Sequence, residues 1–333
     1  MKIVLDGFGG DNAPLEAVKG AVTAVTNNPE LEIIITGDET QLKQVLKDIN
    51  YTGDKISIVH TTQVIGNNEP PVEAIKAKTD SSLVRAFDIL KQDDVVGLVS
   101  AGSTGAILTG GFLKIGRIAG ISRPSLAPLF PTIKGEWVMP IDVGANMDCK
   151  PINLVHFAMM GSIYMKNIFG IENPRVGLLN VGTEEHKGNE LVKQAHEELK
   201  KLKDINYAGS MEARDFLSGN YDVVVADGFA GNVLIKSTEG TMAFSLNLIK
   251  KQIKSTALGK MGGLLLKPTF KQLKKKLDYT NYPGSPLLGV KKLVVKTHGS
   301  SLDRTFLASI EQIVKMHKAG LIDKLSALQY SGE

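Results

Sequence analysis

Short, β-branched apolar runs recur along the chain, separated by longer stretches of helical character. The runs are Ile3-Val4-Leu5, Ile33–Ile35, Ile56–Val59, Val95–Val99, Val138–Val143, Val176–Val181 and Val223–Ala226. Their alternation with helical stretches predicts βαβ units and a mostly parallel sheet buried on both faces. The intervening pattern predicts helices near 14–27, 39–49, 69–92 with a break near Thr79, 104–115, 151–168, 189–202, 239–254 and 301–318. Pro14 suits a first helical turn, where its missing N–H has no partner to lose. No fixed-period repeat or Pro-rich linker marks a border, so residues 1–333 are read as one unit that can divide into two interleaved α/β lobes.

Composition narrows the class. With 39 Lys+Arg against 35 Asp+Glu, the chain lacks the cationic excess of a dedicated nucleic-acid binder, and no nucleic-acid partner is expected. Cys149 is the single cysteine, which excludes an internal disulfide and thiolate metal clusters. The chain opens on Lys2-Ile3-Val4-Leu5 without a secretory pattern, and it holds no 18-residue apolar run. The expected location is the cytoplasm, with peripheral contact to a membrane.

Candidate chemistry lies where the strands end. Five turns combine small residues with polar ones: Asp6–Asp11, Ser100–Ala106, Asp142–Asn146, Asn180–Glu184 and Asp227–Asn232. In a parallel α/β sheet such carboxyl-end loops share one edge, so all five are expected to converge on one crevice. Gly102 and Gly105 let the backbone approach a ligand, while Ser103 and Thr104 offer hydroxyl and N–H donors at a helix start, an arrangement that favours an anion such as phosphate. Asp6, Asp11, Gly182 and Asp227 complete the candidate phosphate or substrate set. The same residue types also serve as plain turns and caps. Neither a G-x-x-x-x-G-K-[ST] loop nor the G-x-G-x-x-G spacing is present, which disfavours an NTPase or an ordinary Rossmann dehydrogenase. Asp6, Asp11, Asp142 and Asp227 suit loop bracing better than cation binding, and the six dispersed histidines include no H-E-x-x-H. No metal and no cofactor are expected.

The segments DGFGGDNAP, SAGSTGA, DVGANMDCKP, VGLLNVGTEEHKGN, DGFAGNV, PLLGV and HGSS occur in the order, and at about the spacing, of the bacterial acyl-carrier-protein:phosphate acyltransferases, the PlsX family. The chain resembles that family nearly end to end, departing from its usual pattern at Phe8, at Ser103 and around Pro283 and Ser285. The resemblance implies an isocitrate/isopropylmalate-dehydrogenase-like fold of three layers, shared with phosphate acetyltransferases, and a homodimer. It implies transfer of a fatty acyl group from acyl-carrier protein to inorganic phosphate, releasing acyl phosphate for phospholipid synthesis. A functional link to a membrane acyl-phosphate:glycerol-3-phosphate acyltransferase follows.

A thioester is already activated, so phosphate can attack it directly and the protein need only orient the nucleophile and stabilise the oxyanion. Asn146, Asn180 and Asn232 are the candidate donors, with Lys187 and His298 balancing charge. A covalent route through Cys149 is the lesser alternative. From Gly240 to Leu277 the chain carries nine lysines and no acidic residue, interleaved with Leu258, Met261, Leu264, Leu265 and Leu266. That pattern reads as a helical docking segment for anionic lipid or the acidic carrier protein, or else as a subunit contact, as Leu246, Ile249 and Ile253 suggest for 245–253. Two other readings stay open: a short-chain phosphotransacylase acting on acyl-CoA, and a non-catalytic scaffold at the membrane.

Overall fold

The first strands of the computed structural model, which describes residues 1–271 and 283–328, follow the apolar runs. β1 (Lys2–Asp6), β2 (Glu32–Gly37), β3 (Ile56–His60) and β4 (Val95–Ser100) lie side by side in the parallel order β3-β2-β1-β4. Their connections are α1 (Leu15–Asn27), α2 (Glu39–Asp48), α3 (Pro71–Ala77) and α4 (Ser82–Leu90). The predicted 69–92 helix is therefore two helices. The second restarts because Ser81 caps it, its hydroxyl accepting from the Val84 N–H at 3.3 Å.

After β4 come α5 (Thr104–Gly110) and a π-helical turn at 111–115, so the predicted 104–115 helix changes its winding midway. The chain then leaves this sheet through β5 (Ser125–Leu126) and β6 (Phe130–Pro131) and enters a second one. There β7 (Trp137–Ile141), α6 (Pro151–Phe169), β8 (Arg175–Asn180), α7 (Glu190–Lys201), β9 (Asn206–Glu212) and β10 (Val223–Val225) give the strand order β6-β7-β10-β8-β9. Next is α8 (Gly228–Lys254), which starts eleven residues before the predicted 239–254 helix because the Asp227 carboxylate caps it, accepting from the Ala230 N–H at 2.8 Å. α9 (Ala257–Leu265) turns back onto its end.

The chain returns to the first sheet as β11 (Ser285–Leu288) and β12 (Leu293–Lys296), followed by α10 (Asp303–Lys318) and α11 (Leu321–Ser326). β12 inserts beside β4, parallel to it, extending the sheet to β3-β2-β1-β4-β12-β11-β5. The first sheet thus holds both ends of the described chain, and the second is spliced into its middle.

Alternation along the strands sorts the core into two layers. Ile3 and Leu5 pack on one face with Val18, Ala21, Phe306 and Ile310, whereas Val4 packs on the other with Val84, Phe87 and Leu98. The second sheet repeats the division, with Val223 and Val225 on the first side and Val224 on the second. Helices therefore cover both faces of both sheets in three layers.

One glycine fixes how closely α8 seats on the second sheet. A Cβ at Gly231 would collide with the carbonyl oxygen of Asp142, backbone that cannot yield as a side chain would. Gly231→Ala is expected to destabilise the fold by about 3 kcal/mol, the upper part of the usual overpacking range. Urea denaturation of the variant beside wild type measures it.

Candidate active site between the two sheets

The Ser100–Ala106 turn is held from behind. The Asp6 carboxylate accepts from the Ser100 hydroxyl at 2.7 Å, and the Ser100 oxygen in turn accepts from the Gly102 N–H at 3.0 Å. A Cβ at Gly9 would lie 2.6 Å from both the Asp6 carboxylate and the Gly102 nitrogen, so only glycine lets these two turns nest. Burial pushes the Asp6 carboxyl up, opposed by hydrogen bonds from Ser82 and Ser100. Asp6 thus sits beneath the turn as its brace. The buried Ser103 precedes α5 without using its side chain as a cap, and the N–H groups of Thr104, Gly105 and Ala106 have no partner within the helix.

Facing this turn is the loop after β7, organised by one carboxylate. The buried Asp142 accepts from five donors: Leu126 N–H (3.0 Å) and Val143 N–H (2.8 Å) on Oδ1, and Ala145 N–H (3.0 Å), Asn146 N–H (2.7 Å) and Asn146 Nδ2 (3.0 Å) on Oδ2. Burial pushes its carboxyl up, and these hydrogen bonds only partly offset that.

Between turn and loop lies a cavity of about 470 Å³. Thr104 and Gly105 line one wall, Val143 and Gly144 another, and Asn232, Lys236 and Glu239 of α8 a third. Lys296 and His298, at and just beyond the end of β12, close it.

The candidate donors fare differently in this setting. Asn146 spends both amide hydrogens, one on Asp142 and one on the Pro124 carbonyl at 2.7 Å. Asn180 does likewise, toward the Lys187 carbonyl and the Ser210 hydroxyl, each at 3.2 Å. Both are braces in this conformation. Asn232 is half-buried on the cavity wall next to Gly144, and among the described residues its amide has no hydrogen-bond partner. It is the one asparagine of the three with donors to offer.

The expected convergence of five turns on one crevice is only partly met, because β8 belongs to the second sheet and lies beyond β10. Asn180 and Asp227 line a separate, mainly apolar groove of about 870 Å³ on the other flank of α8, with Leu179, Val181, Leu217, Phe229, Val233 and Met242. Gly182 and the exposed Lys187 belong to the loop at its rim, and Asp227 is engaged as the α8 cap. Asp11 is exposed, its N–H donating to the Gly299 carbonyl at 2.7 Å, which ties the first turn to the His298 loop. The four aspartates are thus distributed among separate turns. Among the described residues no cluster of three or more His, Cys, Asp or Glu is placed to hold a metal ion.

Cys149 is partly buried beside Asp142, and burial, reinforced by that carboxylate, pushes its thiol up to about 12. Such a thiol is protonated at neutral pH and a poor nucleophile. Sequence reasoning passed over Lys236, Glu239 and Lys296. Lys296 adjoins the HGSS segment, and its signal was a charge ending the apolar run Leu293–Val295.

The fold has solved counterparts. A phosphotransacetylase from Streptococcus pyogenes superposes with a TM-score of 0.61 at 17% identity, covering 97% of this chain and 94% of that one. A branched-chain phosphotransacylase from Enterococcus faecalis V583 gives 0.58 at 14% identity, covering 94% and 98%. The family follows from sequence: the family model described as "Fatty acid synthesis protein" matches residues 1–324. The phosphate acyltransferase of Clostridium novyi is 46% identical over 327 residues, 98% of each chain, and that of Clostridioides difficile is 44% identical over 326 residues, 98% of this chain and 95% of its own. The chain belongs to this phosphate acyltransferase family and is an enzyme, a transferase.

His298 provides a titration test of the cavity. Its surroundings push the imidazole below 6.5, burial first and then the Lys296 and Lys236 ammonium groups, against the pull of Glu239 and Asp11. The unfolded chain therefore takes up this proton before the folded one does, so His298 lowers stability as pH falls from 6.5 toward its folded value and has no effect above. An NMR titration is expected to show His298 neutral at pH 7, with an upward shift of its midpoint in Lys296→Met.

Proposed function

We propose that this enzyme transfers a fatty acyl group from acyl-carrier protein to inorganic phosphate, giving acyl phosphate and free carrier thiol. The observation that carries the reading is the cavity itself, where a small-residue turn whose N–H groups have no partner within α5 faces an Asn232 amide without a partner among the described residues. Phosphate held at Gly102–Gly105 attacks the thioester carbonyl, and its oxygen forms the new C–O bond. Negative charge passes to the carbonyl oxygen, which the Asn232 amide receives. Collapse expels the thiolate, whose conjugate thiol has a pKa of about 8.5, so no strong acid is needed. The Ser300 N–H donates to His298 Nδ1 at 3.2 Å, which places the proton of the neutral ring on Nε2. A direct transfer also suits the protonated state of Cys149.

The carrier-protein donor is favoured over a short-chain acyl-CoA by the apolar groove beside α8, where Phe229 is 65% exposed and Val181 78%, surfaces suited to a long aliphatic chain. Purified protein with palmitoyl-acyl-carrier protein is expected to form acyl phosphate only when phosphate is present, and faster than with palmitoyl-CoA. Absence of phosphate dependence would overturn the proposal. Asn232→Ala is expected to lower kcat about 100- to 1000-fold, whereas Cys149→Ala leaves it within twofold of wild type, roughly the scatter expected of a residue outside the chemistry.

A second element of the reading concerns the surface. Leu258 is 79% exposed, Met261 68%, Leu264 71%, Leu265 82% and Leu266 50%, all on or just after α9 and interspersed with lysines. Residues 272–277 of the basic segment lie outside the described residues. Among the described residues no helix is long and apolar enough to cross a membrane. Exposed leucines flanked by cations support peripheral docking on anionic lipid, each nearby cation adding about 1 kcal/mol. The second subunit of a homodimer would cover Leu248 and Ile249 on α8, which are 51% and 43% exposed. Replacing Leu264, Leu265 and Leu266 together by glutamate is expected to abolish flotation with phosphatidylglycerol vesicles; unchanged flotation would rule out lipid docking here.

A further inference from the structure

Lys296 occupies a position where the strand pattern calls for an apolar residue. β12 is an interior strand, paired with β4 on one side through Lys296↔Ser100 and with β11 on the other through Ser285↔Lys296. Successive side chains on a strand alternate between faces, so Lys296 shares the face of the buried Val294 rather than that of Val295. That face meets α5 and the start of α8 across the cavity, and the Lys296 side chain lines it. The Thr297 N–H donates to the Ser100 carbonyl at 2.8 Å, which fixes this end of β12 against the root of the Ser100–Ala106 turn.

The charges around it do not balance. Of the two lysines lining the cavity, Lys236 is paired with Glu239 at 2.7 Å. Lys296 has no hydrogen-bond or ion-pair partner among the described residues. Burial pushes its ammonium down, Lys236 adds to the effect, and Glu239 only partly opposes it. A cation withdrawn from water without a counter-charge opposes folding, so its retention at a core-facing position points to a ligand that supplies the missing charge. Thr104, Gly105 and Asn232 on the same walls offer donors, and none of these three is anionic. A small, multiply charged oxyanion complements that set, with its oxygens shared between the ammonium and the neutral donors.

We infer that Lys296 is the counter-charge for the attacking phosphate, binding it directly at the end of β12 and setting the enzyme's affinity for this substrate. The inference rests on the phosphate-acyltransferase reading of the cavity and adds to it the residue that neutralises the nucleophile's charge while it is held beside the thioester.

The test uses the full chain with palmitoyl-acyl-carrier protein and varied inorganic phosphate. Lys296→Met is expected to raise the KM for phosphate about 100-fold, as loss of a charged hydrogen bond implies, with the KM for the acyl donor within about twofold. Lys296→Arg, which keeps the charge, restores most of the phosphate affinity. Thermal unfolding supplies a readout that does not depend on turnover. Inorganic phosphate raises the Tm of wild type and not of Lys296→Met, compared with chloride at equal ionic strength, while Lys296→Met without phosphate is at least as stable as wild type because an uncompensated charge is gone. A phosphate KM unchanged in Lys296→Met, with wild type still phosphate-dependent, overturns this inference alone. A wild type that forms no acyl phosphate overturns the reading beneath it. Should Lys296→Met not fold, Lys296→Gln carries the same comparison.

Discussion

Everything at the cavity depends on the way the Asp142 carboxylate gathers five donors. It anchors the loop after β7 through Val143, Ala145 and Asn146, and through the Leu126 N–H it grips the strand with which the chain leaves the first sheet. A buried carboxylate is costly unless its oxygens are satisfied, so each donor is held where the charge needs it. The Asn146 carbonyl then accepts from the Gly228 N–H at 2.7 Å, and Gly231 lets α8 press against the Asp142 backbone. One buried carboxyl group thus joins the crossing strand, the second sheet and the helix that walls the site.

The opposite wall follows the same logic with another aspartate. Asp6 holds Ser100, which holds Gly102, so the turn that would cradle phosphate is rigid through its hydroxyl and backbone without spending Thr104. Acidic residues near a phosphate-binding turn would repel the ligand if they faced it. Here Asp6 and Asp142 are buried behind their loops, their charge directed into N–H and O–H groups, while the side chains turned toward the cavity are neutral or cationic apart from Glu239, which Lys236 neutralises. Burial thereby separates the groups that build the site from those left to act in it.

α8 divides two environments. Asn232, Lys236 and Glu239 project into the polar cavity, while Phe229, Val233 and Met242 line the apolar groove. Helical spacing produces this division, since residues three and four apart share a flank. Beyond about residue 240 the helix leaves the body of the protein, and α9 with its exposed leucines lies at the far end. A single element thus runs from the proposed site of chemistry to the proposed docking surface.

The sequence by itself determined the α/β class, most of the early strands and helices, and the small-residue turns at their ends, because these depend on local periodicity and on backbone freedom. Ser100–Ala106 was legible for that reason, and so was the apolar and basic character of 257–266. The family was legible too, since seven separate motifs stand in order. Tertiary structure decided what no local pattern contains. It split the strand-end turns between two sheets, sending Asn180 to the apolar groove and Asn232 to the cavity. It also showed that Asn146 and Asn180 have no hydrogens to spare, a matter of partners distant in sequence. β12 illustrates the difference most sharply. Its four residues are too few for periodicity to register, yet pairing with β4, nearly 200 residues earlier, places Lys296 beside the turn. A lysine reads in sequence as a solvated charge, and only the enclosing walls make it an ammonium without a counter-ion.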